Sequence, residues 1–251
     1  MLKISQIFGP TIQGEGSAAG RHCLFVRTYN CNLECRWCDT AYTWADTPNK
    51  AAKTISGQQY DRDEPVLGMK EMTHNEVYGR LNYLWPIALK PTIVVISGGE
   101  PMMQQRDLHP LMVMIRQVRS EVHIETAGTI APTYEFNQCV NQYNVSPKLN
   151  HSGNILSKRF KPEVLSVLQG SGKAWFKFVV TNLTASADFD EIDRIVKEIN
   201  IPANRVMVMP EGTTLEHNID TAKDIVDRAL HRGYGLTFRS HILLWGDDPE
   251  K

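Results

Sequence analysis

Apolar, β-branched runs of strand length alternate along this chain with segments of helical period, and that alternation limits the possible folds more than any single motif. The runs are Cys23–Thr28 (CLFVRT), Ile93–Ser97 (IVVIS), Val122–Thr126 (VHIET), Trp175–Val180 (WFKFVV), Arg205–Met209 (RVMVM) and Leu236–Arg239 (LTFR), with a weaker one at Tyr143–Val145. Between them, Thr73-His-Asn-Glu76 forms a capping box that predicts a helix toward Leu89. Gln105–Val118, Asp188–Ile199 and Thr221–Leu230 repeat at helical period. Strands alternating with helices predict a parallel sheet joined by right-handed crossovers, hence an α/β fold. A complete or partial β/α barrel suits the number of units, with a doubly wound open sheet as the alternative. The chain has 251 residues, 42% of them hydrophobic, enough to bury a sizeable core as one large domain or two small ones. Ala45–Lys70 departs from the pattern. It is polar, aperiodic and longer than an ordinary connection, and reads as an insertion or lid within a single domain.

Three of the five cysteines fall in Cys31-Asn-Leu-Glu-Cys35-Arg-Trp-Cys38. Thiolates this close can converge on a metal centre, whereas three disulfide partners at this spacing could not all pair. A structural zinc site is closed by four protein ligands, and an electron-transfer iron–sulfur cluster normally takes four cysteines. Three leave one metal position open to a substrate or cofactor, so the stretch reads as a reactive site. An odd cysteine count with a cluster of three suits a reducing compartment. The N-terminal segment has no long apolar core and no run approaches a membrane span, so the expectation is a cytoplasmic protein that does not engage a membrane. Net charge is −1 with a pI near 6.7, which gives no global footprint for nucleic acid.

The unusual residues cluster on this scaffold. The cysteine loop follows the first strand of the alternation, Gly98-Gly-Glu-Pro101 follows IVVIS, and Glu125 lies near the end of VHIET. Ser146-Pro-Lys148 follows the weak run, Met209-Pro-Glu-Gly212 ends RVMVM, and His241 lies just past LTFR. In parallel α/β folds the carboxyl ends of the strands gather the active-site loops.

Cys-x3-Cys-x2-Cys with Trp37 before the last cysteine resembles the signature of radical S-adenosylmethionine enzymes, and Ser97-Gly-Gly-Glu-Pro101 resembles their methionine-binding motif. Ile12-Gln-Gly-Glu-Gly16, Arg27, Cys38-Asp-Thr40, Ser146-Pro-Lys148 and the Met-Pro-Glu-Gly turn resemble the 7-carboxy-7-deazaguanine synthase family over nearly the whole chain. The resemblance implies a modified, incomplete β/α (TIM-like) barrel, a homodimer, and the substrate 6-carboxy-5,6,7,8-tetrahydropterin, converted to 7-carboxy-7-deazaguanine and ammonia for queuosine-type 7-deazapurines. It further implies a [4Fe-4S] cluster on Cys31, Cys35 and Cys38, S-adenosylmethionine on the open iron, Mg2+ on Thr40, and an external flavodoxin-like reductant.

The same resemblance assigns roles. Trp37, Cys38, Asp39, Gly98, Gly99, Glu100, Glu125, Ser146, Pro147, Lys148, Met209, Pro210, Glu211 and Gly212 match positions around S-adenosylmethionine. Glu100 is expected to accept from the methionine ammonium, and Gly98 and Gly99 to let backbone approach the ligand. Ile12, Gln13, Gly14, Glu15, Ser97 and His241 match the substrate side, with Arg27 as the bidentate partner of its carboxylate. Trp245-Gly-Asp-Asp-Pro-Glu-Lys251 continues beyond the point where some family members place a terminal carboxylate in the site.

Plainer readings stand beside these. The cysteines suit a zinc site completed by His22 or Cys23, and a glycyl-radical activase shares their spacing. Cys23 and Cys139 read as core thiols, as do the methionines of Leu111-Met-Val-Met114 as core side chains.

Overall fold

A computed structural model of the protein describes residues 1–85 and 92–246. Its strands are β1 (Leu2–Ile12), β2 (His22–Thr28), β3 (Lys70–Met72), β4 (Ile93–Gly98), β5 (Glu121–Thr126), β6 (Gln142–Val145), β7 (Ala174–Val180), β8 (Val206–Pro210) and β9 (Gly235–Leu236). The helices are α1 (Pro48–Ala51), α2 (His74–Leu84), α3 (Gln105–Gln117), α4 (Tyr134–Cys139), α5 (Leu156–Arg159), α6 (Pro162–Gly170), α7 (Ala185–Ile199), α8 (Leu215–Leu230) and α9 (Ser240–Trp245). The strands form one mixed sheet in the order β3-β1-β2-β4-β5-β6-β7-β8-β9. From β2 through β9 every neighbouring pair is parallel, while β1 runs antiparallel to both β2 and β3. Among the parallel strands the spatial order follows the chain order without reversal. A doubly wound sheet requires such a reversal, so that alternative does not hold here.

The strand alternation expected from sequence is present, with instructive exceptions. β1 escapes the pattern because its alternation is broken by register shifts between Ile4 and Gln6 and between Phe8 and Thr11, and Gly9-Pro10 reads as a turn. β9 stops at Leu236, short of the expected Arg239. The chain leaves the sheet there because side chains take over: the Thr237 hydroxyl accepts from the Gly16 amide at 2.8 Å and Arg239 turns inward.

The Thr73 capping box forms as expected, the Thr73 hydroxyl accepting from the Glu76 amide at 3.2 Å and the Glu76 carboxylate from the Thr73 amide at 2.7 Å. α2 ends at Leu84; the remaining stretch toward Leu89 lies outside the described residues. α7 and α8 start earlier than their apolar periodicity suggests, because Thr181 and Thr184 donate to Asp188 and Thr214 caps the amide of His217.

Successive strand residues point to opposite sides of the sheet, and the two sides differ chemically. Leu24, Val26, Val94, Ile96, Val122, Ile124, Tyr143, Val145, Phe176, Phe178, Val206 and Val208 join α3, α6, α7 and α8 in the main core. Leu111 and Met112 of α3 are buried in it, and Cys139 packs partly against it. The other side carries Phe25, Arg27, Ser97, Glu125, Asn144 and Lys177 around a cavity. Helices on one side dry the sheet; polar chains on the other face a common space.

Segment 45–70 is pinned to the body. The Tyr60 amide donates to the Ala45 carbonyl at 3.1 Å and Ile55 to Arg36 at 2.8 Å. The Ser5 hydroxyl reaches the Leu67 carbonyl at 3.0 Å before the chain enters β3. No helix among the described residues is long and apolar enough to cross a membrane.

Candidate active site

The carboxyl ends of the parallel strands surround a cavity of about 360 Å³. Cys31, Cys35 and Cys38 lie in the loop after β2 and line it. Each sulfur receives an N–H: Cys31 from the Leu33 amide at 3.4 Å, Cys35 from Asn154 Nδ2 at 3.2 Å, and Cys38 from Trp44 Nε1 at 3.3 Å. Burial pushes all three thiols up, Cys35 to about 11, so a metal centre must displace their protons on binding. Among the described residues no three His, Cys, Asp or Glu side chains are placed to share one metal ion. A cluster makes a different demand, since each thiolate takes its own iron. The proposed fourth zinc ligands are elsewhere: His22 stacks on Trp85 and bonds Thr92, and Cys23 is packed with Phe8 and Val95. The donor set therefore fits an open-sited cluster.

The glycine turn after β4 is built against this loop. A Cβ on Gly98, whose φ is +117°, would lie 2.3 Å from the Thr28 carbonyl oxygen, and one on Gly99 would lie 1.9 Å from that of Asn30. Both glycines line the cavity, yet the contact that forbids a side chain is with the protein's own backbone. The Gly99 and Glu100 amides donate to the Thr28 and Asn30 carbonyls at 3.1 and 2.8 Å. Glu100 departs from its expected position. It is fully buried behind the wall, accepting from the Met102 and Ala127 amides and the Thr126 hydroxyl at 3.1, 2.8 and 2.8 Å. Burial pushes its carboxyl up against the pull of those donors. These three bonds brace the turn against β5.

At the end of β5, Gln13 Nε2 donates to Glu125 at 3.0 Å, and the Ser97 hydroxyl donates to the other Glu125 oxygen at 2.7 Å. A Cβ on Gly14 would meet the His241 ring at 2.1 Å, so a side chain there would displace the histidine. Arg27 lies 4.9 Å over the Phe8 ring and donates to Gln6 and to the Tyr42 hydroxyl, which itself donates to Gln6 at 2.9 Å. These contacts fix the guanidinium plane at the cavity edge, where Tyr60 and Leu67 of the 45–70 segment also border the space.

The remaining predicted residues fall around the same cavity. Lys148 donates to the Ser146 hydroxyl at 3.0 Å and stands 5.5 Å over the Trp37 ring, whose other neighbour is His151 at 5.4 Å. Pro147 is buried between them in the chain and is not part of the lining. Asp39, Thr40, Ile12, Met209, Pro210, Glu211, Gly212 and His241 all border the space, the Thr40 hydroxyl 3.7 Å from the Cys38 sulfur.

Sequence reasoning passed over Lys177, Arg239, Tyr42 and Asn144. Lys177 ion-pairs with Glu15, as does Arg239 at 3.1 Å. Burial would raise the Glu15 carboxyl, but Lys177, Arg239 and His241 outweigh it and hold it well below the usual carboxylate range. Arg239 also donates to the Gly212 carbonyl at 2.9 Å and to Asp39. A signal existed for Lys177, a single charge inside the apolar run Trp-Phe-Lys-Phe-Val-Val; none did for Arg239, since Glu15, Asp39 and Gly212 are distant from it in sequence.

Comparisons with known proteins agree with this geometry. A family model described as a 4Fe-4S single cluster domain matches residues 12–163. A 7-carboxy-7-deazaguanine synthase of Pyrobaculum aerophilum is 35% identical over 247 residues, covering 98% of this chain and 96% of the relative. One of Bacillus subtilis is 28% identical, covering 98% and 97%. The crystal structure of QueE from Escherichia coli superposes with a TM-score of 0.62 at 21% identity, covering 96% of this chain and 94% of that one, a likeness of fold. Since the cluster-domain match spans the cysteine loop and the first relative aligns nearly end to end, the chain belongs to the 7-carboxy-7-deazaguanine synthase family of radical S-adenosylmethionine lyases.

Proposed function

We infer that the protein converts 6-carboxy-5,6,7,8-tetrahydropterin to 7-carboxy-7-deazaguanine and ammonia, a step toward queuosine-type 7-deazapurines. The observation that carries this is convergence: the cysteine loop, the Ser97-Gly-Gly turn and the Ile12–Glu15 segment, unconnected in sequence, border one cavity. Bound to Cys31, Cys35 and Cys38, a [4Fe-4S] cluster would supply the electron that cleaves S-adenosylmethionine and starts the ring contraction. The chain's residues do the rest by placement. Arg27, its plane already set by Gln6, Tyr42 and Phe8, meets the substrate carboxylate as a rigid fork. Gln13 and Ser97 orient Glu125 toward the pterin space. Trp37, Lys148 and Met209–Gly212 enclose S-adenosylmethionine.

Several finer assignments belong to the same reading. The Thr40 hydroxyl is a hard oxygen donor suited to Mg2+, with substrate oxygens and water completing the shell. The sheet curves into an incomplete barrel; supporting this, the loop after β1 bonds β5 through Gln13–Glu125 and the segment after β9 through Gly16–Thr237. Segment 45–70 acts as a lid over the Arg27 side, and the homodimer would cover the exposed Leu243, Leu244 and Trp245 of α9. A flavodoxin-like reductant supplies the electron.

The test is anaerobic reconstitution followed by turnover with S-adenosylmethionine and the pterin. Expected are about one four-iron cluster per chain, equal amounts of deazaguanine product and ammonia, and loss of the cluster in Cys35→Ala. Release of 5′-deoxyadenosine with the pterin untouched, alongside activation of a glycyl-radical protein, would assign the chain to activase chemistry instead.

A further inference from the structure

On the cavity wall, two cations hold one carboxylate. Lys177 rises from the inner side of β7 and pairs with one oxygen of Glu15, while Arg239, from the segment after β9, donates its Nε to the other at 3.1 Å. All three side chains are largely buried. Arg239 spends its other nitrogens elsewhere, Nη1 on the Gly212 carbonyl at 2.9 Å and Nη2 on Asp39 next to the cysteine loop. One guanidinium therefore touches the segment before β2, the loop after β2 and the turn after β8. Two further bonds reinforce the first of these junctions: the Ser240 amide donates to the Gly14 carbonyl at 2.9 Å, and the Gly16 amide to the Thr237 hydroxyl at 2.8 Å.

We propose that Lys177 and Arg239 are positioning residues which, through Glu15, lock the substrate segment Ile12–Glu15 to the Met209–Gly212 turn and to Asp39, so that the pterin and S-adenosylmethionine sites keep one relative geometry. The proposal rests on the functional reading above and deepens it. Arginine suits the junction because its fork serves three acceptors in different directions, which a point-charge ammonium cannot. Lys177 is needed because removing one member of a buried ion pair leaves an uncompensated charge. Misplacement matters in this chemistry because a radical made beside a displaced substrate is lost; a shift of about 1 Å can lower the productive rate about 100-fold.

The experiment uses reconstituted holoenzyme in four forms: wild type, Arg239→Lys, Lys177→Met and Lys177→Arg. Iron content and melting temperature control for folding. Lys177→Met is expected to raise 5′-deoxyadenosine released per product by about 10-fold or more. Lys177→Arg, which keeps a cation on Glu15, should recover most of the coupling. If Lys177 instead donates a proton to the departing amine, Lys177→Arg, whose guanidinium does not give up a proton, stays as poor as Lys177→Met and the proposal falls. Hydrogen exchange supplies a readout independent of turnover. Arg239→Lys should speed exchange at residues 12–16 and 209–214 together, and a change confined to residues 237–241 would overturn the clamp. A wild-type enzyme that makes no deazaguanine would sink the functional reading, while the exchange result would still decide the proposal.

Discussion

Arg27 shows how much of a binding site is set before the ligand arrives. Its guanidinium is held by Gln6, Tyr42 and the Phe8 face, so little side-chain entropy remains to be lost on binding. Arg27→Ala is expected to weaken pterin affinity by a contact worth about 1.5–3 kcal/mol, or about 10- to 150-fold, leaving iron content and S-adenosylmethionine cleavage intact. Titration of the pterin into the reconstituted variant checks this. Tyr42→Phe removes one anchor of the fork and should cost about 0.5–1.5 kcal/mol in the same titration. Glu100 illustrates the opposite lesson: a motif residue expected to face the ligand is occupied by three protein donors.

At the level of elements, the turn after β4 and the loop after β2 behave as one unit. Gly99 sits so close to the Asn30 carbonyl that any side chain must move the cysteine loop. Gly99→Ala should therefore destabilise the protein by about 1–3 kcal/mol and reduce iron incorporation, even though no cysteine is altered. Urea unfolding and iron analysis test both halves, and full iron loading with unchanged stability would contradict the packing argument. The 45–70 segment gives a second case. Tyr60 meets Tyr42 edge-on at 6.0 Å, and Tyr42 in turn holds Arg27. Tyr60→Ala is expected to raise KM for the pterin with a smaller change in kcat, because it loosens enclosure rather than radical generation; a pure kcat effect would remove the lid from the account.

Across the whole molecule, Glu15 joins the first strand's loop to β7 and to the segment after β9, far apart in the chain. Its carboxyl lies below its ordinary value near 4.5 because Lys177, Arg239 and His241 outweigh the effect of burial. A carboxylate depressed in the folded state contributes stability that is complete above the unfolded value and is lost as pH falls through the lower folded value. Wild-type stability should thus decline on acidification below about pH 4.5 more steeply than that of Glu15→Gln, whose curve starts lower because Lys177 is left buried without its anion. Denaturant midpoints measured across that range decide it, and parallel curves would show that Glu15 contributes nothing to the acid limb.

Local pattern was enough to read the strand and helix alternation, the capping box at Thr73 and the three-cysteine loop, because each is written in residues near one another: period, cap chemistry and ligand spacing. The same residues placed the site at the carboxyl ends of parallel strands. What sequence could not supply was anything created by distant parts of the chain meeting. β1 stayed hidden because bulges spoil its alternation while pairing with β2 rescues it. The glycines looked like a gap left for ligand, and only the packed turn revealed the Thr28 and Asn30 backbone filling it. Lys177 stood out only as a lone charge in an apolar run and Arg239 not at all, until folding buried both around Glu15. A buried charge derives its meaning from its partner, and for these residues the partners lie on loops far away in the chain, so tertiary structure alone could decide them.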